Sequence, residues 1–158
     1  MAASSKAVRR IMKELERVGK AGEELANTEA GPVSDTDMFT WKAVLRNVGE
    51  PYAGGEFELQ ITFPEDFPFK PPTVVFVTPV YHPNIDKSGE ICMPILKADV
   101  WRPMNSVINV LTAVRDLMEE PNPSDPLRPK LAAQYLDKRA AFDKAAKKHT
   151  KTHAKPKK

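Results

Sequence analysis

The chain contains a single cysteine, Cys92, among its 158 residues. One thiol excludes both an internal disulfide and a metal site built from several cysteines. Two roles are left for this side chain: a reactive nucleophile, or a buried residue that packs in the core. The sequence also lacks the ~20-residue apolar run that spans a bilayer and the apolar segment of a secretory signal. We therefore expect no membrane partner and a reducing compartment, cytosol or nucleus, which an unpaired cysteine fits.

Net charge is low, at +3, and much of the excess lies near the end of the chain, at Lys144, Lys147, Lys148, Lys151, Lys155, Lys157 and Lys158. Residues 1–150 are long enough for one domain with its own core, and we expect 151–158 to form a basic tail. Such an end can contact nucleic acid or address a protein to the nucleus, but most are simply solvated. No nucleic-acid motif accompanies it, so we expect no nucleic-acid partner.

Helical periodicity opens the chain, where apolar residues recur at Val8, Ile11, Met12, Leu15 and Val18. The intervening residues are charged, namely Arg9, Arg10, Lys13, Glu14 and Arg17. This pattern predicts an amphipathic helix that stops near 19–22. The same spacing predicts a largely buried helix over 107–118, ended by Pro121, and two shorter helices over 131–136 and 139–148, the last of them frayed.

Strand patterns lie between the helices. Residues 38–48 are rich in β-favouring side chains, 57–63 alternate apolar and polar, and 73–77 form a third apolar run. We expect turns at Gly31-Pro32, at 34–37 and at Gly54-Gly55. The proline-dense 67–72 can be neither helix nor central strand, and prolines leave 77–101 as a structured loop. These segments predict an antiparallel meander.

Four blocks of residues follow one another in a fixed order. They are Phe63-Pro64 with Phe67-Pro68-Phe69-Lys70-Pro71-Pro72, the turn Tyr81-His82-Pro83-Asn84-Ile85, Gly89-Glu90-Ile91-Cys92, and Trp101 with Pro121-Asn122-Pro123-Ser124-Asp125-Pro126-Leu127. Together, with eight residues from Asn84 to Cys92, they resemble the ubiquitin-conjugating (E2) enzymes over roughly residues 6 to 150. The resemblance implies an α+β fold, a four-stranded antiparallel sheet with an N-terminal helix and three C-terminal helices.

The resemblance implies that Cys92 carries ubiquitin, or a related modifier, as a thioester. Attack on a thioester passes through a tetrahedral oxyanion, which needs a nucleophile to hold the acyl group and a donor for the charge. In the family, the residue matching Asn84 takes that oxyanion role or orders the loop. Without Cys92, Asn84 would be read as an ordinary turn residue.

His82 raises the alternative of a Cys–His hydrolase dyad, because His149 and His153 lie in the basic end and are poor candidates for a base. A hydrolase would also need an orienting group and its own fold. The resemblance implies instead that His82 braces the loop through hydrogen bonds.

Lysine as an acceptor poses a problem, since a side chain with a reference pKa of ~10.4 is protonated at neutral pH. A carboxylate can position the amine and accept its proton. Asp125 matches the acidic gate of the family, and Asn122 is a lesser candidate for orienting the lysine. The alternative for Asp125 is a turn or helix-start residue.

Pro94 departs from the pattern of E2 enzymes that discharge readily to lysine, because those have an aspartate there. Proline cannot accept a proton. Together with the spacing from Lys97 to Trp101 it resembles the Cys-x-Pro subgroup that transfers to ligase cysteines, although that subgroup is expected to lack an acid at Asp125. Direct reaction with lysine is left open.

Partner surfaces follow from the resemblance as well. Phe69, Arg102 and Pro103 match loops that meet E3 ligases, of HECT or RING-between-RING type by preference, with RING possible. Arg9 and Lys13 match the face that meets the E1. Simpler explanations exist: Phe69 as core, Pro103 as a helix start, and Arg9 with Lys13 as a solvated face.

The resemblance further implies a monomer that needs no metal or organic cofactor, since the ATP chemistry belongs to the E1. No phosphate-binding glycine loop is present in the sequence. Conjugation of another ubiquitin-like modifier and an inactive E2-like scaffold remain as alternatives, with the hydrolase as a third.

Overall fold

The computed structural model describes residues 5–157. A four-stranded antiparallel sheet has strands in the order of the chain, which makes it a meander. The strands are β1 (Thr28–Ser34), β2 (Asp37–Leu45), β3 (Phe57–Thr62) and β4 (Thr73–Phe76). The α-helices are α1 (Ser5–Lys20), α2 (Val107–Glu119), α3 (Pro129–Asp137) and α4 (Arg139–His153). The predicted α+β fold, with one helix before the sheet and three after it, is confirmed.

The core joins the sheet to α2. Inward-facing residues of β2 and β3, such as Trp41 and Ile61, are fully buried and directly paired. They share one buried cluster with Val110, Leu111 and Val114 on α2, so the predicted burial of this helix is confirmed. Within the described part of the chain, no helix is long and apolar enough to cross a membrane.

The expected turn at Gly31-Pro32 was wrong, because both residues lie inside β1. β1 is an edge strand, paired with β2 alone. Proline is tolerated at such an edge because its missing N–H need not serve a second neighbour. The register shifts between Pro32 and Ser34, just before the real turn to β2.

The expected turn at Gly54-Gly55 is present, since Gly54 has φ +85° and the Gly55 N–H donates to the Tyr52 carbonyl at 3.1 Å, but it is only one part of the link between β2 and β3. β2 ends at Leu45 and β3 begins at Phe57, so residues 46–56 form a longer connection. Its centre is anchored by Tyr52, which is fully buried and donates its hydroxyl proton to the Tyr81 carbonyl at 2.6 Å. This connection therefore supports the segment that carries the histidine and asparagine of the functional site.

The charged side of α1 is not uniformly solvated, because Glu14 is fully buried. Its Oε1 accepts the first N–H of α2, from Val107, at 2.7 Å. Its Oε2 pairs with Arg10 at 3.1 Å and Arg17 at 2.9 Å. A carboxylate that accepts a helix N-terminal donor is favoured by the helix dipole. Glu14 therefore fixes α1 against the start of α2.

The last helix is longer than expected and is not frayed at residue 148, since α4 continues to His153. Beyond it, Ala154 is buried and its carbonyl accepts the Glu56 N–H at 2.8 Å. The Lys157 ammonium reaches Glu58 on β3 at 3.2 Å. Within the segment expected to be a basic tail, residues 151–153 thus complete α4, while Ala154 and Lys157 contact residues at the start of β3; Lys158 lies outside the described residues.

Candidate active site

A short turn brings Cys92 back beside Asn84. The Asp86 carboxylate accepts backbone N–H groups of Ser88 and Glu90, both at 2.9 Å. Gly89 has φ +92°, and a Cβ there would lie 2.1 Å from the Phe76 carbonyl oxygen, so only glycine fits. The Cys92 N–H then donates to the Asn84 carbonyl at 2.9 Å. The eight-residue step noticed in the sequence is the length of this turn.

Cys92 is partly buried, and its Sγ donates to Asp125 Oδ2 at 3.4 Å. Burial raises the pKa of the Cys92 thiol, and the hydrogen bond and charge of Asp125 raise it further. The nearby Lys97 ammonium acts in the opposite direction. The resting sulfur is therefore held as a thiol, and its proton has an acceptor within reach.

Asn84 is fully buried and braces the loop that carries Asp125. Its Oδ1 accepts the Asn122 N–H at 2.8 Å, while its Nδ2 donates to the carbonyls of Asn122 at 2.7 Å and Asp125 at 3.1 Å. Both amide protons are thus engaged. Of the two roles expected, this geometry provides loop ordering, and an oxyanion role requires one of these bonds to open.

His82 is fully buried and lies under the same turn. Its Nδ1 accepts the Asn84 N–H at 3.0 Å, so Nε2 carries the proton that it donates to the Leu117 carbonyl at 2.7 Å. Burial lowers the pKa of His82 to about 4, which keeps the ring neutral. Because both ring nitrogens bind backbone, His82 has none left for proton transfer with Cys92. The bracing role fits this geometry and the hydrolase dyad does not.

The 122–128 loop is fixed to the histidine turn at two further points. The N–H groups of Leu127 and Arg128 both donate to the Pro83 carbonyl, at 2.9 and 3.0 Å. Asn122 exposes its side chain, whose Oδ1 accepts the Ser124 hydroxyl at 2.7 Å. Asp125 also keeps its side chain exposed while facing the thiol. The loop therefore presents a carboxylate beside Cys92 on a backbone that is hydrogen-bonded to the histidine turn.

Pro94 begins a 3₁₀ turn, Pro94–Leu96, directly after the cysteine. The turn leads to Lys97, whose Nζ lies 3.8 Å from Asp125 Oδ2. Lys97 entered the sequence analysis only as one end of a spacing, with no role of its own. Nothing in the sequence marked it, because its carboxylate partner is 28 residues away, at Asp125.

The candidate partner residues lie on the surface. Phe69 is 68% exposed, so it is not core. Pro103 is exposed and precedes Ser106, the residue that caps α2, so it does not start that helix. Arg102 is exposed, as are Arg9 and Lys13 on α1.

Two side chains, those of Trp101 and Arg10, hold the Phe69 and Pro103 loops in place. The Trp101 indole N–H donates to the Pro68 carbonyl at 2.7 Å. Arg10 donates to the carbonyls of Pro103 at 2.7 Å and Asn105 at 2.9 Å. Sequence reasoning placed Arg10 only on a charged helix face, and the backbone acceptors that give it this role are far along the chain.

Within residues 5–157, no group of three or more histidine, cysteine or acidic residues is placed to hold a metal ion. The site thus consists of one thiol, a braced asparagine turn and a carboxylate loop on a four-helix α+β fold. The family model described as ubiquitin-conjugating enzyme matches residues 10–150. The chain belongs to the ubiquitin-conjugating enzyme (E2) family, whose members are transferases that work with an E1, ubiquitin and an E3.

Proposed function

We propose that this protein accepts ubiquitin from an E1 as a Cys92 thioester and transfers it to an E3 cysteine or a substrate lysine. The observation that carries the proposal is the contact of the Cys92 thiol with Asp125 at 3.4 Å, on a loop that Asn84 holds. A partly exposed thiol beside a proton acceptor is suited to acyl exchange. The ATP chemistry belongs to the E1, and no cofactor is required here.

Each residue has a proposed task. Cys92 attacks the E1 thioester and holds the acyl group. Asn84 keeps the 122–125 loop in place. When one of the hydrogen bonds from its side-chain amide opens, the freed N–H donates to the oxyanion, where a single donor is typically worth ~10²–10³ in rate. Asp125 orients the incoming amine and accepts its proton. His82 and Asn122 support these groups.

Transfer to a ligase cysteine is the favoured second step. Pro94 supplies no proton acceptor beside Cys92, and a thiol acceptor needs less help than an ammonium, because thiols titrate nearer neutrality. HECT and RING-between-RING ligases, which carry such a cysteine, are therefore the proposed partners. Transfer to lysine, and hence work with a RING ligase, is also compatible with this site, because Asp125 lies beside Cys92 and can accept the proton of an amine.

Two alternatives concern the same fold. A different ubiquitin-like modifier would use the same thioester chemistry. An inactive scaffold would need neither an accessible thiol nor a carboxylate beside it, and the contact of Cys92 with Asp125 therefore favours the enzyme.

The test is thioester loading. The protein is incubated with E1, ATP and ubiquitin and run on a gel with and without reductant. We expect a thiol-sensitive adduct that Cys92→Ser replaces by a thiol-resistant ester or loses. Discharge is then followed with free cysteine and free lysine, and we expect cysteine to react faster. Folded protein that loads neither ubiquitin nor any other modifier would show that the chain is a scaffold.

A further inference from the structure

Two histidines lie side by side at the end of α4, and neither belongs to the active site. His149 and His153 are four residues apart, and α4 ends at His153. Residues four apart share one face of a helix, and here the two ring centres are 4.3 Å apart with their planes tilted by 39°. The third histidine of the chain, His82, has both ring nitrogens bound to backbone. His149 and His153 are therefore the two imidazoles that are open to a ligand.

The spacing of the two rings matches a shared metal ion. Imidazole nitrogens bind Zn²⁺ at about 2.0–2.1 Å, so two rings at roughly right angles around one ion have centres about 4.5 Å apart. The observed separation of 4.3 Å lies close to that value. The helix holds the two Cβ atoms about 5–6 Å apart, so small changes in side-chain torsions suffice and the backbone need not move.

His149 offers one of its two ring nitrogens to solvent. Its Nδ1 is buried, and no group among residues 5–157 hydrogen-bonds to it. The residue as a whole is half-buried, whereas His153 is exposed. Nε2 is therefore the His149 nitrogen that a dissolved ion can reach. A metal bound at Nε2 places the proton of the neutral ring on Nδ1.

The charges around the pair select the class of ion. His153 lines a cleft together with Glu56 and Glu58. Both carboxylates are already paired, Glu56 with Arg46 at 3.3 Å and Glu58 with Lys157 at 3.2 Å. The cleft therefore offers a cation little net negative charge, and binding depends on the lone pairs of the rings. Such a site favours ions that prefer imidazole and disfavours Mg²⁺ and Ca²⁺, which prefer oxygen.

We propose that His149 and His153 chelate one divalent transition-metal ion of the class that prefers imidazole, with water in its remaining positions. This inference goes beyond the proposed function and does not depend on it. Two protein ligands make a weaker site than the four of a structural zinc centre. The affinity should follow the usual order for nitrogen ligands, with Cu²⁺ above Zn²⁺.

A bound ion would also act on the end of the chain. The chelate joins two residues across the final turn of α4, and Ala154 follows directly. The Ala154 carbonyl accepts the Glu56 N–H at 2.8 Å, next to β3. Because a ligand that binds only the folded helix stabilises it, metal binding should strengthen this attachment of the chain end.

The test is a Zn²⁺ titration of the full-length chain, without a purification tag, followed by NMR of the histidine ring nitrogens. Cys92→Ser is the background, because a thiolate also binds zinc. We expect the ring signals of His149 and His153 to shift together and to saturate at one ion per chain. His82 is the internal control and should not shift, and Mg²⁺ should shift none of the three.

Two variants locate the site. His153→Gln removes an exposed ring and should weaken zinc binding at least about tenfold by calorimetry, because one of two chelating ligands is lost. Lys151→Gln, at an exposed position between the two histidines, is the matched control and should retain binding. Zinc should also slow amide hydrogen exchange of Glu56, and this effect should vanish in His153→Gln.

Three outcomes would overturn the chelate. They are the absence of any histidine shift with Zn²⁺, a shift of only one of the two rings, and equal zinc affinity in His153→Gln. Saturation at one ion per two chains would also overturn it, since the rings of separate copies would then share the ion.

Discussion

The Asn84 side chain and the Asn122 backbone bind each other in both directions. Asn84 Oδ1 accepts the Asn122 N–H at 2.8 Å, and Asn84 Nδ2 donates to the Asn122 carbonyl at 2.7 Å. A third bond reaches the Asp125 carbonyl at 3.1 Å. The position of the Asp125 carboxylate therefore depends on the side-chain amide of Asn84, which is itself fully buried.

Replacing Asn84 by alanine should destabilise the protein as well as impair transfer. Three backbone groups on Asn122 and Asp125 lose their partner, and orphaned polar groups cost about 1–3 kcal/mol each when buried. Because water can reach part of this loop, we expect a total of about 2–4 kcal/mol in the free energy of unfolding, measured by urea titration.

The control for this change is Ser124→Ala in the same loop, which removes one exposed hydrogen bond to Asn122. We expect it to alter stability by less than about 0.5 kcal/mol. If Asn84→Ala lost transfer at unchanged stability, the amide would act on the oxyanion alone and the bracing role would be wrong.

Stability should fall as the solution becomes acidic, because His82 is neutral in the fold. The pKa of His82 is about 4 in the folded chain and ~6.5 in an unfolded one, so the unfolded state binds more protons between these values. Stability therefore rises with pH through this window and levels off above it. Urea titrations should give about 2 kcal/mol less stability from this group at pH 5 than at pH 7.5.

Two measurements identify the group responsible. His82→Asn retains an acceptor for the Asn84 N–H and should flatten the dependence of stability on pH. His149→Gln removes a histidine whose pKa is also lowered, and this variant should keep most of that dependence. Proton NMR of the unaltered protein should find the His82 ring uncharged at pH 5.5 even if the variant does not fold. A charged ring there would contradict the prediction.

Asp125→Asn should have opposite effects on thiol alkylation and lysine discharge. The hydrogen bond and charge of Asp125 raise the pKa of Cys92, so removing them increases the thiolate fraction at neutral pH. We expect alkylation by iodoacetamide at pH 7 to accelerate roughly two- to tenfold. Discharge to lysine should slow, because the proton acceptor is lost.

Lys97→Gln is the counterpart, since Lys97 lowers the pKa of Cys92, and it should slow alkylation. Asp66→Asn is the neutral control, as Asp66 is an exposed acid paired with Lys70. Slower alkylation of Asp125→Asn would mean that Asp125 activates the thiol rather than retaining its proton.

Phe69→Ala should weaken ligase-dependent transfer and leave thioester loading intact. The ring is 68% exposed, so its removal should change stability by less than about 0.5 kcal/mol. Loading with E1, followed by discharge with and without a ligase, separates the two steps. Leu136→Ala, at 63% exposure on α3, is the matched control and should affect neither. Lost loading in folded Phe69→Ala would refute this division of surfaces.

Regular elements with strong periodicity were predictable, and irregular ones were not. Alternation over 57–63 gave β3, and apolar spacing over 107–118 gave α2. β1 was missed because Gly31 and Pro32 disfavour a strand locally, whereas an edge position tolerates them. Glu14 was misplaced because a buried carboxylate needs donors, and these come from Val107 and two arginines that no local pattern connects to it.

The sequence by itself determined the family and the order of the helices relative to the sheet, and it indicated Cys92, Asn84 and Asp125 as a candidate set, since motif order and spacing are properties of the chain. Only the tertiary structure decided what these groups do to one another. It directed the two amide protons of Asn84 to carbonyls 38 and 41 residues away, engaged both His82 ring nitrogens in hydrogen bonds and placed Lys97 beside Asp125. Hydrogen bonds and charge pairs act over a few ångströms of space, and distance along a chain does not measure that separation.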